Sequence, residues 1–197
     1  MGPPAFTDPA AMSVFDGLLA VFFVTEAVIR FRSYRNRGSE SHETASLVTI
    51  VVATVVAIFG ALLVAADLSA TAIPVARVPL FVVGTVIIAL GIALRIWSVV
   101  ELGRYFTIDV RVRENQPVVD GGPYRLVRHP SYTGLLAVCL GIGLALDNWL
   151  SLVVAIVPST ISIVIRIRVE ERALLEGIGE PYRVFASTRS RLIPHVW

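Results

Sequence analysis

Two clusters of polar residues interrupt an otherwise apolar chain, and their chemistry is complementary. From Gly122 to Gly134 the run Gly-Pro-Tyr-Arg-Leu-Val-Arg-His-Pro-Ser-Tyr-Thr-Gly sets arginine, histidine and tyrosine among turn formers. Pro130 disfavours a helical backbone at His129, and helical, apolar character resumes from Tyr132. His129 is therefore expected just before a helix start, where unpaired N–H groups and a positive dipole end favour an anion. Arg128 adds fixed positive charge, and Gly134 is expected to let a flat ligand approach the helix backbone. The second cluster is Arg166-Ile167-Arg168-Val169-Glu170-Glu171-Arg172. On a helix Arg166 and Glu170 share one face, and Arg168 and Glu171 lie on a neighbouring one. Arginine ahead of glutamate is the weaker helix orientation, so local stabilisation explains the pattern poorly. One cluster can hold an anion and the other a cation. A ligand with a carboxylate, an ammonium, a second cationic centre and a flat base would engage both: S-adenosylmethionine. The competing reading of each cluster alone is a solvated helix end whose arginines contact lipid phosphates.

The elements that must bring these clusters together are read from hydropathy. The chain has 197 residues, is 55% hydrophobic and has a mean hydropathy of +0.75, which points to an all-α, multi-pass membrane protein. A bilayer core needs roughly 20 apolar residues per helix. Ser13–Ile29, Ala45–Ala66, Val78–Val100, Tyr132–Leu146 and Trp149–Ile165 supply five spans. Asp16 and Glu26 weaken the first, and only Asp147-Asn148 separates the last two, which are expected to form a tight helical hairpin. Residues 1–100 thus hold three spans, and 101–197 hold a cytosolic loop, the hairpin and an amphipathic tail, Gly177–Trp197, broken by Pro194. The whole reads as one domain.

All 17 basic residues are arginine. Apart from Arg77 and Arg95, they lie at or after the ends of the first, third and fifth spans, so the N-terminus is expected outside, with both clusters and the C-terminus facing the cytosol of a cell membrane. No cleaved signal peptide is expected. Cys139 reads as a small buried hydrophobe, and Arg95 with Trp97 as a snorkelling arginine beside an interfacial tryptophan.

Over its C-terminal half the chain resembles the isoprenylcysteine carboxyl methyltransferase family, within the wider group of membrane phospholipid methyltransferases. The matching residues are Leu102-Gly103 with Tyr105-Phe106, Val118-Val119, Gly122-Pro123-Tyr124-Arg125, and Arg128-His129-Pro130 with Tyr132 and Gly134. Glu170-Glu171 with Leu174, Gly179 and Tyr182, then Arg191-Leu192-Ile193-Pro194, close the pattern. The resemblance implies an S-adenosylmethionine pocket formed by the last two spans and the cytosolic segments beside them. It places His129 and Tyr132 on the cofactor with backbone groups near Tyr124 and Leu126. Glu170 or Glu171 would receive the cofactor ammonium, and Arg166 would orient the acceptor carboxylate or the cofactor. Arg166 and Glu170 are the candidate catalytic residues.

Methyl transfer to an ionised carboxylate needs no general base, so alignment and exclusion of water would carry the rate. A hydroxyl acceptor would need a base, and Glu170 or His129 is the candidate. The acceptor is expected to be a lipophilic small molecule or a prenylated chain, reaching the site from the bilayer between the third span and the hairpin. Membrane lipids are the expected surroundings, and no metal or nucleic acid is expected. An NADPH-dependent sterol-type reductase, which shares a His-Pro-x-Tyr-x-Gly segment, and a non-catalytic lipid-binding protein are the alternatives. No small-residue motif identifies a dimer face.

Overall fold

The computed structural model describes residues 3–35, 44–73, 77–106, 116–194 and 196–197. A short helix α1 (Pro4–Thr7) leads into α2 (Pro9–Arg35), followed by α3 (Thr44–Asp67), α4 (Arg77–Leu102), α5 (Pro130–Ala145), α6 (Trp149–Gly177) and α7 (Glu180–Ser187). Four of these, α2, α3, α4 and α6, are long and apolar enough to cross a membrane, and α5 is a shorter apolar helix. The five expected apolar segments all form helices, four of them of membrane-spanning length and running past the ends that hydropathy marks, while α5 runs from Pro130 to Ala145. The tail differs: its helix stops at Ser187, well before Pro194, and turns follow.

Lipid tails offer no hydrophobic drive between helices, so close backbone packing must hold them together. Glycine provides it between α4 and α5. A Cβ at Gly84 would lie 2.6 Å from the carbonyl oxygen of Gly141, and one at Gly91 would lie 2.7 Å from that of Gly134. Gly84 and Gly91 are two turns apart, as are Gly134 and Gly141, so the antiparallel helices meet glycine to glycine along one seam. Gly134 therefore serves helix packing and not ligand approach, which corrects the sequence expectation.

The hairpin forms as expected. Asp147 adopts a positive φ of 51°, which aspartate tolerates, and the Asn148 side chain caps α6 by accepting from Ser151 N at 3.0 Å. The same two residues tie this turn to the α3–α4 connection. Arg77 pairs with Asp147 at 3.2 Å, and Asn148 donates to the carbonyl of Leu68 at 3.0 Å.

Length mismatch between the hairpin arms creates the site. At 1.5 Å per residue, α5 (16 residues) is about 24 Å long and α6 (29 residues) about 43 Å. Beyond the start of α5, the last turns of α6 have no hairpin partner. They are covered instead by the 122–125 turn, α7 and the C-terminal turn.

Candidate functional site

Each polar cluster is carried by an element that fixes its direction. His129 is the N-cap of α5 with φ −126° and ψ 58°, and Pro130 occupies the first helical position, where its missing N–H costs nothing. Glu170 and Glu171 lie on α6 beyond the bilayer-length part of that helix. The hairpin brings them to His129: its Nε2 lies 3.3 Å from Glu171 Oε1, and its Nδ1 lies 3.9 Å from Glu170 Oε1. The imidazole stacks on Tyr132 with ring centroids 5.8 Å apart.

The two glutamates have different surroundings. Glu171 is buried and saturated: Arg128 Nη1 reaches Oε1 at 2.7 Å, and Arg191 Nε donates to Oε2 at 2.9 Å. Glu170 keeps 28% of its side chain exposed and accepts from the Tyr132 hydroxyl at 2.7 Å. Arg166 is buried; it donates from Nε to the Tyr132 hydroxyl at 3.3 Å and from Nη1 to Ser46 Oγ on α3 at 2.5 Å. Arg168, by contrast, is exposed.

These groups surround one cavity of about 1280 Å³, counting its open mouth. Tyr124, His129, Tyr132, Arg166 and Glu170 line it. Leu126 and Glu171 do not: Leu126 is exposed on the outside of its turn, and Glu171 lies behind Arg128 and His129.

The cavity has two ends of different character. At one end Tyr124, Tyr182 and Phe185 cluster with Leu102, Val118, Val119, Leu174 and Ile178, forming an apolar slot suited to a flat ring. Burial, and next the charge of Glu170, push the Tyr124 phenol above its usual range. Burial, with the charges of Glu171 and Glu170, does the same at Tyr182. Both therefore stay protonated donors. Among the described residues the Tyr182 hydroxyl and Arg128 Nε are buried with no hydrogen-bond partner of good geometry, although the two side chains lie close together, and both residues line the cavity. Unsatisfied buried donors beside a carboxylate and an aromatic slot fit a ligand with a carboxylate, an ammonium and a flat base.

The other end is apolar and lined by Leu47, Ile50, Val51 and Thr54 of α3, opposite Glu26 and Arg30 of α2. Here the structure corrects two expectations. Arg95 does not snorkel. It is 8% exposed, donates from Nη2 to Glu26 Oε2 at 2.9 Å and from Nε to Glu26 Oε1, and reaches Ser131 Oγ at 2.9 Å through Nη1. An ion within lipid-depth helices is retained only when paired, and Glu26 is the partner. Glu26 and Arg95 lie near the same end of their respective spans, and that shared depth was the available sequence signal. The expected acceptor entrance between α4 and the hairpin is also closed along α5, where Gly84 meets Gly141 and Gly91 meets Gly134. Among the described residues the backbones of α2 and α3 stand apart, with side chains such as Phe23 and Phe59 between them, their centroids 6.2 Å apart. The α3 wall and its serine contact to Arg166 had no polar motif to mark them in the sequence.

Comparison with known proteins bears on the same region. A family model described as phospholipid methyltransferase matches residues 79–180. Protein-S-isoprenylcysteine O-methyltransferase B of Arabidopsis thaliana is 33% identical over 115 residues, 57% of this chain and 58% of that protein. The A form from the same plant is also 33% identical over 115 residues, with the same coverage. The chain thus spans 58% of the length of these curated relatives. A solved eukaryotic intramembrane Ras methyltransferase, isoprenylcysteine carboxyl methyltransferase, superposes with a TM-score of 0.63 at 21% identity, covering 98% of this chain and 70% of that one. At that identity the likeness speaks for the fold.

Proposed function

This chain belongs to the phospholipid methyltransferase family, and from that premise we propose that it is an S-adenosylmethionine-dependent membrane methyltransferase acting on the carboxylate of an isoprenylcysteine-like or other lipophilic acceptor. The observation that carries the reading is the cavity, where Arg166, Tyr132 and Glu170 stand between an aromatic, charged end and an apolar one. Tyr124, Tyr182 and Phe185 would hold the adenine, with Arg128 and the start of α5 facing the carboxylate and Glu170 the ammonium. When bound, the cofactor supplies a methyl group on a cationic sulfur. Arg166, fixed by Tyr132 and Ser46, would orient the acceptor carboxylate. An acceptor already ionised gives up no proton, so His129 and Glu170 need act only in binding and alignment. The acceptor tail would lie along Leu47, Ile50 and Val51 and leave toward the bilayer between α2 and α3. The arginine distribution supports a cytosolic site and an outer N-terminus.

Binding of S-adenosylmethionine and of NADPH to detergent-purified protein tests this. Micromolar binding of the first, lost in His129→Ala and Glu170→Ala, is the expected result. Binding of NADPH alone overturns the proposal in favour of a reductase, and binding of neither favours a non-catalytic lipid-binding role.

A further inference from the structure

The C-terminal turn lies across the start of α5 as a strap. Arg128 N donates to the carbonyl of Ser190 at 2.9 Å and His129 N to that of Arg191 at 3.0 Å, while Thr133 Oγ1 donates to that of Leu192 at 2.8 Å. Leu192 is buried in the main core, and its N–H donates to the carbonyl of Trp197 at 2.8 Å, closing the turn. Arg191 stands over the Trp197 ring, 5.2 Å from its centroid, and its Nε holds Glu171 Oε2.

Resting on the cofactor reading above, we propose that Arg191 is a positioning residue that acts through Glu171 to set the tautomer of His129. With Oε2 taken by Arg191, Glu171 turns Oε1 to Arg128 and to His129 Nε2. A carboxylate can only accept, so Nε2 carries the proton in the neutral ring. Nδ1 is then a lone pair, directed to the side where Glu170 Oε1 lies 3.9 Å away. An ammonium group seated between them meets two acceptors, one charged and one neutral. Arg191 itself does not line the cavity. It makes His129 an acceptor where the other tautomer would present a donor and repel the ammonium.

The test compares two ligands that differ at one group. S-adenosylhomocysteine carries the ammonium, and its deamino analogue keeps the base, thioether and carboxylate. Arg191→Met should weaken the first by about tenfold, the scale of one lost hydrogen bond in a polar pocket, and the second by less than about twofold. Arg191→Lys, which retains a donor for Glu171, should recover most of the loss. Trp197→Ala, which removes the ring beneath the guanidinium, should show the same selectivity at about two- to threefold and serves if Arg191→Met does not fold. Equal weakening of both ligands makes the strap merely structural and overturns the proposal, as does unchanged binding of both. Wild-type protein that binds neither S-adenosylmethionine nor S-adenosylhomocysteine overturns the cofactor reading itself, an outcome visible before any variant is made.

Discussion

Replacing Glu170 with glutamine separates the roles of the adjacent glutamates. Glu170 faces the cavity with one short hydrogen bond, from Tyr132 at 2.7 Å, and among the described residues its other oxygen has only the 3.9 Å approach of His129. That oxygen is free to receive an ammonium. Opposite unit charges 4 Å apart at an effective dielectric of about 20 attract by about 4 kcal/mol. Desolvation and screening of a side chain 28% exposed reduce this toward the 1.5–3 kcal/mol typical of a charged hydrogen bond. Glu170→Gln should therefore raise the Kd for S-adenosylmethionine by roughly 10- to 150-fold. Isothermal titration calorimetry on detergent-purified protein measures it, with the melting temperature as control, since the amide still accepts from Tyr132. Glu171→Gln should behave oppositely. It strands Arg128 and Arg191 beside a neutral group and should lower stability by roughly 3 kcal/mol. A Kd for Glu170→Gln within threefold of wild type, with a large selective loss in a stably folded Glu171→Gln, refutes this assignment.

Three further outcomes follow from the packing. Gly141→Ala puts a methyl 2.5 Å from the Gly84 carbonyl oxygen, and the α4–α5 seam should lose about 1–3 kcal/mol, read as a lower melting temperature. Among the described residues Arg95→Met leaves Glu26 with only the 3.7 Å contact of Arg30, and it should cost about 3–5 kcal/mol; Glu26→Gln in the same chain should restore most of that, and a double variant no better than the single contradicts the pairing. At the opposite end of the bundle, burial raises the Asp147 carboxyl pKa, and Arg77 only partly opposes this. A raised carboxyl pKa means the folded state binds its proton more tightly, so wild type should gain stability relative to Asp147→Asn as pH falls through that pKa. Paired melting curves from neutral pH toward pH 4 check the sign, and a relative loss of wild-type stability contradicts it.

The parts legible in sequence share a physical origin in short-range constraint. Pro130 ahead of Tyr132 made His129 an N-cap, and two turn residues between apolar runs made a hairpin. Apolar length alone located the helices, because an unpaired backbone is untenable in lipid. Recognition of the Arg-His-Pro and Glu-Glu motifs then placed His129, Tyr132, Arg166 and Glu170 around one cavity before any geometry was known. What stayed hidden depends on which face of a helix meets which neighbour. Gly134 looks the same in sequence whether it faces a ligand or Gly91, and Arg95 reads as a snorkelling residue until Glu26 lies against it.

By itself, then, the sequence determined the number of apolar helices, the hairpin and the place of His129 at a helix start. Each of these follows from local backbone chemistry or from the energetic demands of lipid. Only the tertiary structure decided that Glu170 faces the cavity while Glu171 is held by Arg128 and Arg191, and that residues of α2 and α3 join Arg95 of α4 and the start of α5 in lining the cavity. Those outcomes depend on contacts between residues tens of positions apart. Helix rotation and tilt set such contacts, and no short-range pattern encodes them.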